Sequence, residues 1–325
     1  MTSWLVTGGA GYIGAHVVRA FVSQGIQPVV VDNLSTGFRA FVPEGVPFVE
    51  GDIRDRNLLA STLTTHQCVG VVHVAGFKYA GVSVAEPLRA YANNVTGTLA
   101  LLGAMEDAGV GNLVFSSSAS VYGTPDADVV TEDAALHPES PYGESKLIGE
   151  WLIRDQMRAH PSFHGVSLRY FNVVGSASDD VYDASPHNLF PLVIEALLVG
   201  KTPQILGTDY PTPDGTCVRD YIHVGDLAVS HVAAAKALAQ GRTLLPAYNL
   251  GSGDGLSVRQ IMDAFARVTG TAFTPGTGPR RPGDPARIVA DGHAAARDLE
   301  WAMRHNVDQM VASAWSARRA AREKN

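Results

Sequence analysis

The sequence has little of what would place it outside the ordinary globular proteins. Its two cysteines, Cys68 and Cys217, are too few for a disulfide framework and lack metal-binding spacing, so both read as small buried hydrophobes. No run of about 18 apolar residues occurs, so there is no candidate membrane span. The start, Met1-Thr2-Ser3-Trp4, lacks the charged region and cleavage site of a signal peptide, and a reducing, cytoplasmic setting is expected. Histidines are scattered singly, without HExxH or Cys/His spacing, so no metal is expected. Positive charge is not in excess: a formal charge of −7 argues against a general nucleic-acid binder. Internal repeats and low-complexity tracts are absent as well.

What is present is a chain of 325 residues, 46% apolar, long enough for a large core. Apolar runs rich in β-branched residues alternate with helical stretches through the first half. Strands are predicted at Trp4–Thr7, Pro28–Val31, Pro47–Val49, Gly70–Val74, Asn112–Ser116 and Val166–Tyr170. Helices are predicted over His16–Gln24, Arg56–His66, Ala85–Gly109 and Tyr142–Ala159. Continuous apolar strands between helices indicate an α/β fold, a doubly wound parallel sheet covered on both faces. After Phe171 the texture becomes rich in Asp, Pro, Gly and Ser, with a helix at Leu189–Leu198. Asp226–Gln240 and Ala247–Leu250 then read as a helix and strand returning to the first unit. The expected division is 1–172 with 221–250 as a Rossmann domain, and 173–220 with 251–325 as a smaller discontinuous substrate domain.

Val6 to Gly14 follows a strand and opens a helix, with glycines at Gly8, Gly11 and Gly14 flanking Tyr12 and Ile13. Such a turn lets backbone amides approach a pyrophosphate where a Cβ would interfere. Asp32, followed by Asn33, closes the next strand, where a carboxylate accepts from an adenosine ribose and repels a 2′-phosphate. The cofactor expected from this pattern is NAD, with Arg39 the one nearby cation that would weaken the preference. Downstream, Tyr142 and Lys146 sit four residues apart in Ser140-Pro141-Tyr142-Gly143-Glu144-Ser145-Lys146, behind a helix-opening proline. On one helical face a cation beside a phenol favours the phenolate and lowers its pKa. Ser116-Ser117-Ser118 ends a predicted strand where ligands bind in such sheets.

Together these segments resemble the extended short-chain dehydrogenase/reductase family, in its branch of UDP-hexose 4-epimerases. The likeness extends over nearly the whole chain through Val49–Ile53, Ala75–Lys78, Asn93–Val95, Arg169–Asn172, Val218–His223 and Arg280–Asp284. The resemblance implies reversible C4 epimerisation of UDP-galactose and UDP-glucose through a 4-keto sugar, with NAD held through turnover. In that scheme Tyr142 is the base, Lys146 lowers its pKa and holds the nicotinamide ribose, and Ser118 bonds the 4-oxygen. Asp52 and Ile53 would flank the adenine, and Lys78 and Asn93 would contact the cofactor. Asn172, Asn188, Arg219, Arg281 and Asp284 would hold the UDP-sugar, while Ile288 would gate the pocket beside the 2-substituent. Tyr221 and His223 are expected to pack or cap rather than bind ligand. Related dehydratases and decarboxylases carry acidic residues after the serine, where this chain has Ala119 and Ser120. Neither can act as an acid or base at neutral pH, which favours simple epimerisation. N-acetylhexosamine, pentose and uronic acid forms of the substrate stay open, and a homodimer is expected from the family.

Overall fold

In the computed structural model, residues 2–281 and 285–324 are described. Its framework is one seven-stranded sheet built from Ser3–Thr7 (β1), Gln27–Asp32 (β2), Phe48–Glu50 (β3), Cys68–His73 (β4), Asn112–Ser116 (β5), His164–Tyr170 (β6) and Ala247–Leu250. The order across the sheet is Ala247–Leu250, β6, β5, β4, β1, β2, β3, and every pairing is parallel. Side chains alternate between the faces of a strand. Val6, Val30, Val72, Val114 and Val166 therefore enter one core cluster, with the helices Tyr12–Ser23 and Val224–Ala239. Leu5, Val29, Val31, Val71, Leu113 and Phe115 enter the other, under Arg56–Thr65 and Gly97–Asp107. Burial on both faces explains why the strands read as unbroken apolar runs rather than alternating ones.

The helix expected over Ala85–Gly109 is instead divided. It runs as Ala80–Ala85, Pro87–Tyr91, a wide π-turn at Ala92–Thr96, then Gly97–Asp107. Pro87 has no N–H to continue a helix but suits the first turn of a new one. The π-turn sets Asn94, rather than Asn93, against the backbone of Gly76 and Phe77. First-helix bounds also move: Tyr12–Ser23 begins directly after Gly11, earlier than the apolar pattern suggested.

A second cluster joins Leu189–Leu198, Val258–Thr269 and Val307–Glu323 through Phe190, Ile194, Ile261, Phe265, Met310 and Val311. Both latter helices open with capping boxes, from Ser257 with Gln260 and Asn306 with Gln309. The segment 251–325 is not confined to this cluster. Ala295, Leu299 and Trp301 pack with Val232 and Tyr248 beneath the large sheet.

Candidate active site

A cavity of about 600 Å³ opens over the carboxyl ends of β1, β2, β4 and β6, with the smaller cluster as its far wall. Parallel sheets bind ligands at this edge because loops and helix N-termini converge there. Gly8, Gly11, Tyr12, Ile13, Gly14, Asp32, Asn33, Lys78, Tyr142, Lys146, Asn172, Asn188, Arg219 and Arg281 all line it.

Along the sheet side the backbone sets the geometry. Gly8 takes φ +72° and passes so close to Ala75 that a Cβ would lie 2.7 Å from the Ala75 nitrogen. A Cβ on Gly14 would stand 2.0 Å from the Gly8 carbonyl oxygen, so this turn admits no side chain. No side chain caps the Tyr12–Ser23 helix at Gly11, which leaves its first amides available to the cavity. The Asp32 carboxylate accepts N–H bonds from Ala10 (3.0 Å) and Leu34 (2.8 Å). Burial pushes its pKa up, and those two bonds oppose the rise. Arg39 is turned away, its guanidinium 4.7 Å from the Phe48 ring centroid.

The reactive side chains come from two elements. Ser140 caps the Pro141–Ala159 helix by accepting from Gly143 N, and Pro141 fills its first turn. The Tyr142 amide donates to Ser83 Oγ (3.0 Å), while Ser145 Oγ bonds the Tyr142 carbonyl and receives Asn94 Nδ2. Asn94 also clasps Phe77 through its N–H (2.6 Å) and carbonyl (3.0 Å), tying the loop after β4 to the helix start. Lys146 Nζ lies 5.9 Å from the Tyr142 ring centroid and donates to the Ser116 carbonyl (2.8 Å). Burial lowers the Lys146 pKa to about 8, with Glu150 pulling it back up. Burial raises Tyr142, and the opposing influence is a hydrogen bond from Ser118.

The far wall is built from loops. Asn188 stands at the N-cap position of Leu189–Leu198 without a side-chain cap bond, and its Nδ2 donates to Asp183 (2.8 Å). Arg219 donates from Nη1 to the Val218 carbonyl (2.9 Å), beside Asp220, which accepts backbone N–H bonds from Ser252, Gly253 and Ala290. His223 caps its own helix through Gly225 N, as expected, and Tyr221 packs on Phe190 while touching the cavity.

Some expected contacts stand off the lining. Asp52 forms a fork with Arg54 (2.8 and 2.7 Å), which lowers its pKa to about 2, and it also receives Asn33. Ile53 packs where Gly97 leaves room, and Asn93 donates to the Arg89 carbonyl. Ile288 is buried with Ala119, Val121, Tyr122, Val130 and Leu147; Phe171, packed on the same cluster, faces the cavity instead. Asp284 lies outside the described residues. Sequence reasoning missed Tyr79, Tyr170, Phe171, Asp183 and His187, all in the lining. Adjacency to Lys78, Asn172 and Asn188 was the available signal for Tyr79, Phe171 and His187. The Tyr79–His187 contact, with ring centroids 4.9 Å apart, joins segments over a hundred positions apart and leaves no local pattern. His223, Asp226 and His305 form a possible metal-ligand group among the described residues. Their polar atoms are engaged, His223 by Gly225 and Ser313 and His305 by Asp226.

Residues 4–251 match the model of the NAD dependent epimerase/dehydratase family. UDP-glucose 4-epimerase of Azospirillum brasilense is 44% identical over 321 residues, covering 97% of this chain and 92% of that protein. A solved UDP-glucose 4-epimerase from Stenotrophomonas maltophila, with bound NAD and formylated UDP-arabinopyranose, superposes with TM-score 0.94 at 40% identity over 100% of both chains. Another, from Brucella ovis in complex with NAD, gives TM-score 0.92 at 40% identity over 97% of this chain and 98% of that one. With a family match across three quarters of its length and relatives this similar end to end, the chain belongs to the NAD dependent epimerase/dehydratase family.

Proposed function

We propose that the protein is an NAD-dependent isomerase that interconverts UDP-galactose and UDP-glucose at C4 through a 4-keto sugar. The observation that carries this reading is one cavity lined by Tyr142, Lys146, the Gly8–Gly14 turn and Asp32, with buried Ser118 close enough to the phenol to oppose the rise in its pKa. The residues present fit the cofactor. The glycine turn excludes any Cβ, the first helical amides carry no side-chain cap, and Asp32 offers a carboxylate at the lining. Bound NAD supplies a hydride acceptor that later returns the hydride to the same carbon.

Tyr142 Oη takes the proton from the sugar 4-hydroxyl and gives it back after the keto sugar has turned in the cavity. Ser118 Oγ holds the 4-oxygen and the phenol in one hydrogen-bonded set. Burial alone opposes the phenolate, and Lys146, 5.9 Å from the ring centroid, is the neighbouring cation that would favour it. Arg219 and Arg281 offer planar forks to the diphosphate, and Asn172 and Asn188 the amides for sugar or uracil edges. Asp52, Ile53, Lys78 and Asn93 remain proposed cofactor contacts. Asp284 remains a proposed UDP-sugar contact, and Ile288 a proposed gate beside the 2-substituent. Ala119 and Ser120, in the short turn after Ser118, supply no acid for elimination.

The proposed lobes are 1–172 with 221–250 for the cofactor and 173–220 with 251–325 for the sugar nucleotide. A homodimer is part of the proposal, supported by exposed Val84, Leu88 and Leu99 on the helices flanking the Tyr142 element and by exposed Trp151 on that element itself. A cytoplasmic location is proposed too; no described helix is long and apolar enough to cross a membrane. A second reading, epimerisation of a UDP-pentose, an N-acetylhexosamine or a uronic acid form, is favoured by the Stenotrophomonas relative's bound UDP-arabinopyranose derivative. Purified protein incubated with UDP-galactose and no added NAD tests the first. UDP-glucose rising to a fixed ratio supports it; conversion of only another UDP-sugar moves the reading to the second.

A further inference from the structure

The Pro141–Ala159 helix meets the end of β5 in a register that proton transfer uses only in part. Tyr142, Lys146 and Glu150 lie four residues apart on one helical face, and each engages one of three consecutive serines. Ser118 neighbours the Tyr142 phenol and opposes the rise in its pKa, and the Ser116 carbonyl accepts from Lys146 Nζ (2.8 Å). Ser117 Oγ donates to Glu150 Oε1 (2.5 Å). This third pair has no part in the reaction described above, since Glu150 lies behind Lys146 and off the cavity lining.

Glu150 is nevertheless fixed with unusual care. Its side chain is 9% exposed and takes a two-pronged bond from Arg169, through Nε (2.9 Å) and Nη2 (2.6 Å). Arg169, itself 6% exposed, donates from Nη1 to the Tyr122 hydroxyl (2.8 Å) and the Glu132 carbonyl (3.1 Å). It directly precedes Tyr170, which lines the cavity. A buried fork of this kind fixes both planes and orients what hangs from them.

We propose that Glu150, clamped by Arg169, is a positioning residue for the C4 chemistry: it holds the Ser116–Ser118 strand end in register with Tyr142 and sets the field at the buried Lys146 ammonium. The proposal rests on the epimerase reading. Of the titratable groups around Lys146, Tyr142 shares its helix, His73 comes from β4, Arg169 and Tyr170 from β6, and His231 bonds Ser116 from the Val224–Ala239 helix. Burial pulls His73 to about 3 and His231 to about 4, so both are neutral at working pH. Glu150 is the negative charge of the set and opposes the burial that lowers Lys146 to about 8.

The test uses the full-length, NAD-loaded protein and two variants. Glu150→Gln keeps the shape and loses the charge; kcat for UDP-galactose falls about tenfold with KM within about twofold. Its alkaline limb moves down by about one pH unit, because Lys146 then loses its proton earlier. Ser117→Ala cuts only the tether, so kcat falls while the limb stays. If Glu150→Gln does not fold, Glu150→Gln with Arg169→Met removes both charges and still shows the kcat loss. Folded variants with normal NAD content, kcat within twofold of the parent and an unmoved limb overturn the proposal. Should the parent itself not turn over UDP-galactose, the epimerase reading fails separately. The Lys146 titration midpoint, followed by NMR on labelled protein, then decides: a fall in Glu150→Gln supports the positioning role, and an unmoved midpoint overturns it.

Discussion

The two walls of the cavity are made in opposite ways. On the sheet wall, backbone and buried groups do the work: the Gly8–Gly14 turn, Asp32 at a strand end, and Tyr142 and Lys146 on a helix pinned by Asn94 and Ser83. Across from it, Asn188, Arg219 and Arg281 project from loops and short strands, and Arg281 is exposed. A rigid wall suits chemistry that needs fixed distances, and a loop-built wall suits recognition that differs among substrates. Substitutions should separate the two, with turnover sensitive to the first and affinity to the second.

The largest effect is expected from Tyr142→Phe, which removes the proton acceptor and should lower kcat by about 10³-fold with NAD content unchanged. Retention of full turnover in that variant would sink the assignment of the base. Arg219→Ala attacks the other wall. Losing a charge-assisted bond to a diphosphate should raise KM by about 10- to 100-fold, with kcat moved far less. A fall in kcat as large as the rise in KM would break the division between the walls. Asp32→Ala returns to the sheet wall without touching the reacting atoms. It should narrow the preference for NAD over NADP by about tenfold, measured as the activity each restores to stripped protein.

The smallest effect concerns stability. Burial lowers His16 and His231 to about 4 and His73 to about 3, all packed around the large sheet. A base whose folded pKa lies below its unfolded value near 6.5 favours the folded state above that pH. That stability is lost as pH falls from about 6.5 toward about 4. Tm should therefore drop by several degrees over this window. A flat Tm from pH 7 to 4 would show that these imidazoles do not stay buried and neutral. The buried Glu150–Arg169 pair makes the complementary point, since removing one partner of such a pair costs about 3–5 kcal/mol while replacing both costs far less.

The sheet wall was legible because its chemistry is local. A strand, a glycine turn and a helix fall within one short stretch, and Tyr142 and Lys146 share a face through helical period alone. The cap by His223 was likewise within reach of short-range rules. What local pattern did not show lies where a neighbour sets the arrangement. Pro87 and the π-turn divide a helix whose composition reads as continuous, and Asn94 in that turn clasps the Phe77 backbone. Asp52 is drawn to Arg54, and Ile288 is taken up by a cluster whose other members lie more than a hundred positions away.

By itself the sequence determined the parallel sheet, the dinucleotide turn and the Tyr142–Lys146 pair, since each follows from local pattern: unbroken apolar runs between helices, glycine spacing, and the helical period of 3.6. Tertiary structure alone decided that three adjacent serines meet three successive inward positions of one helix, and that Arg169 locks them through Glu150. It also decided which aromatic residues face the cavity. Those outcomes depend on distances between strands and helices that are remote in the chain, and no local propensity encodes them.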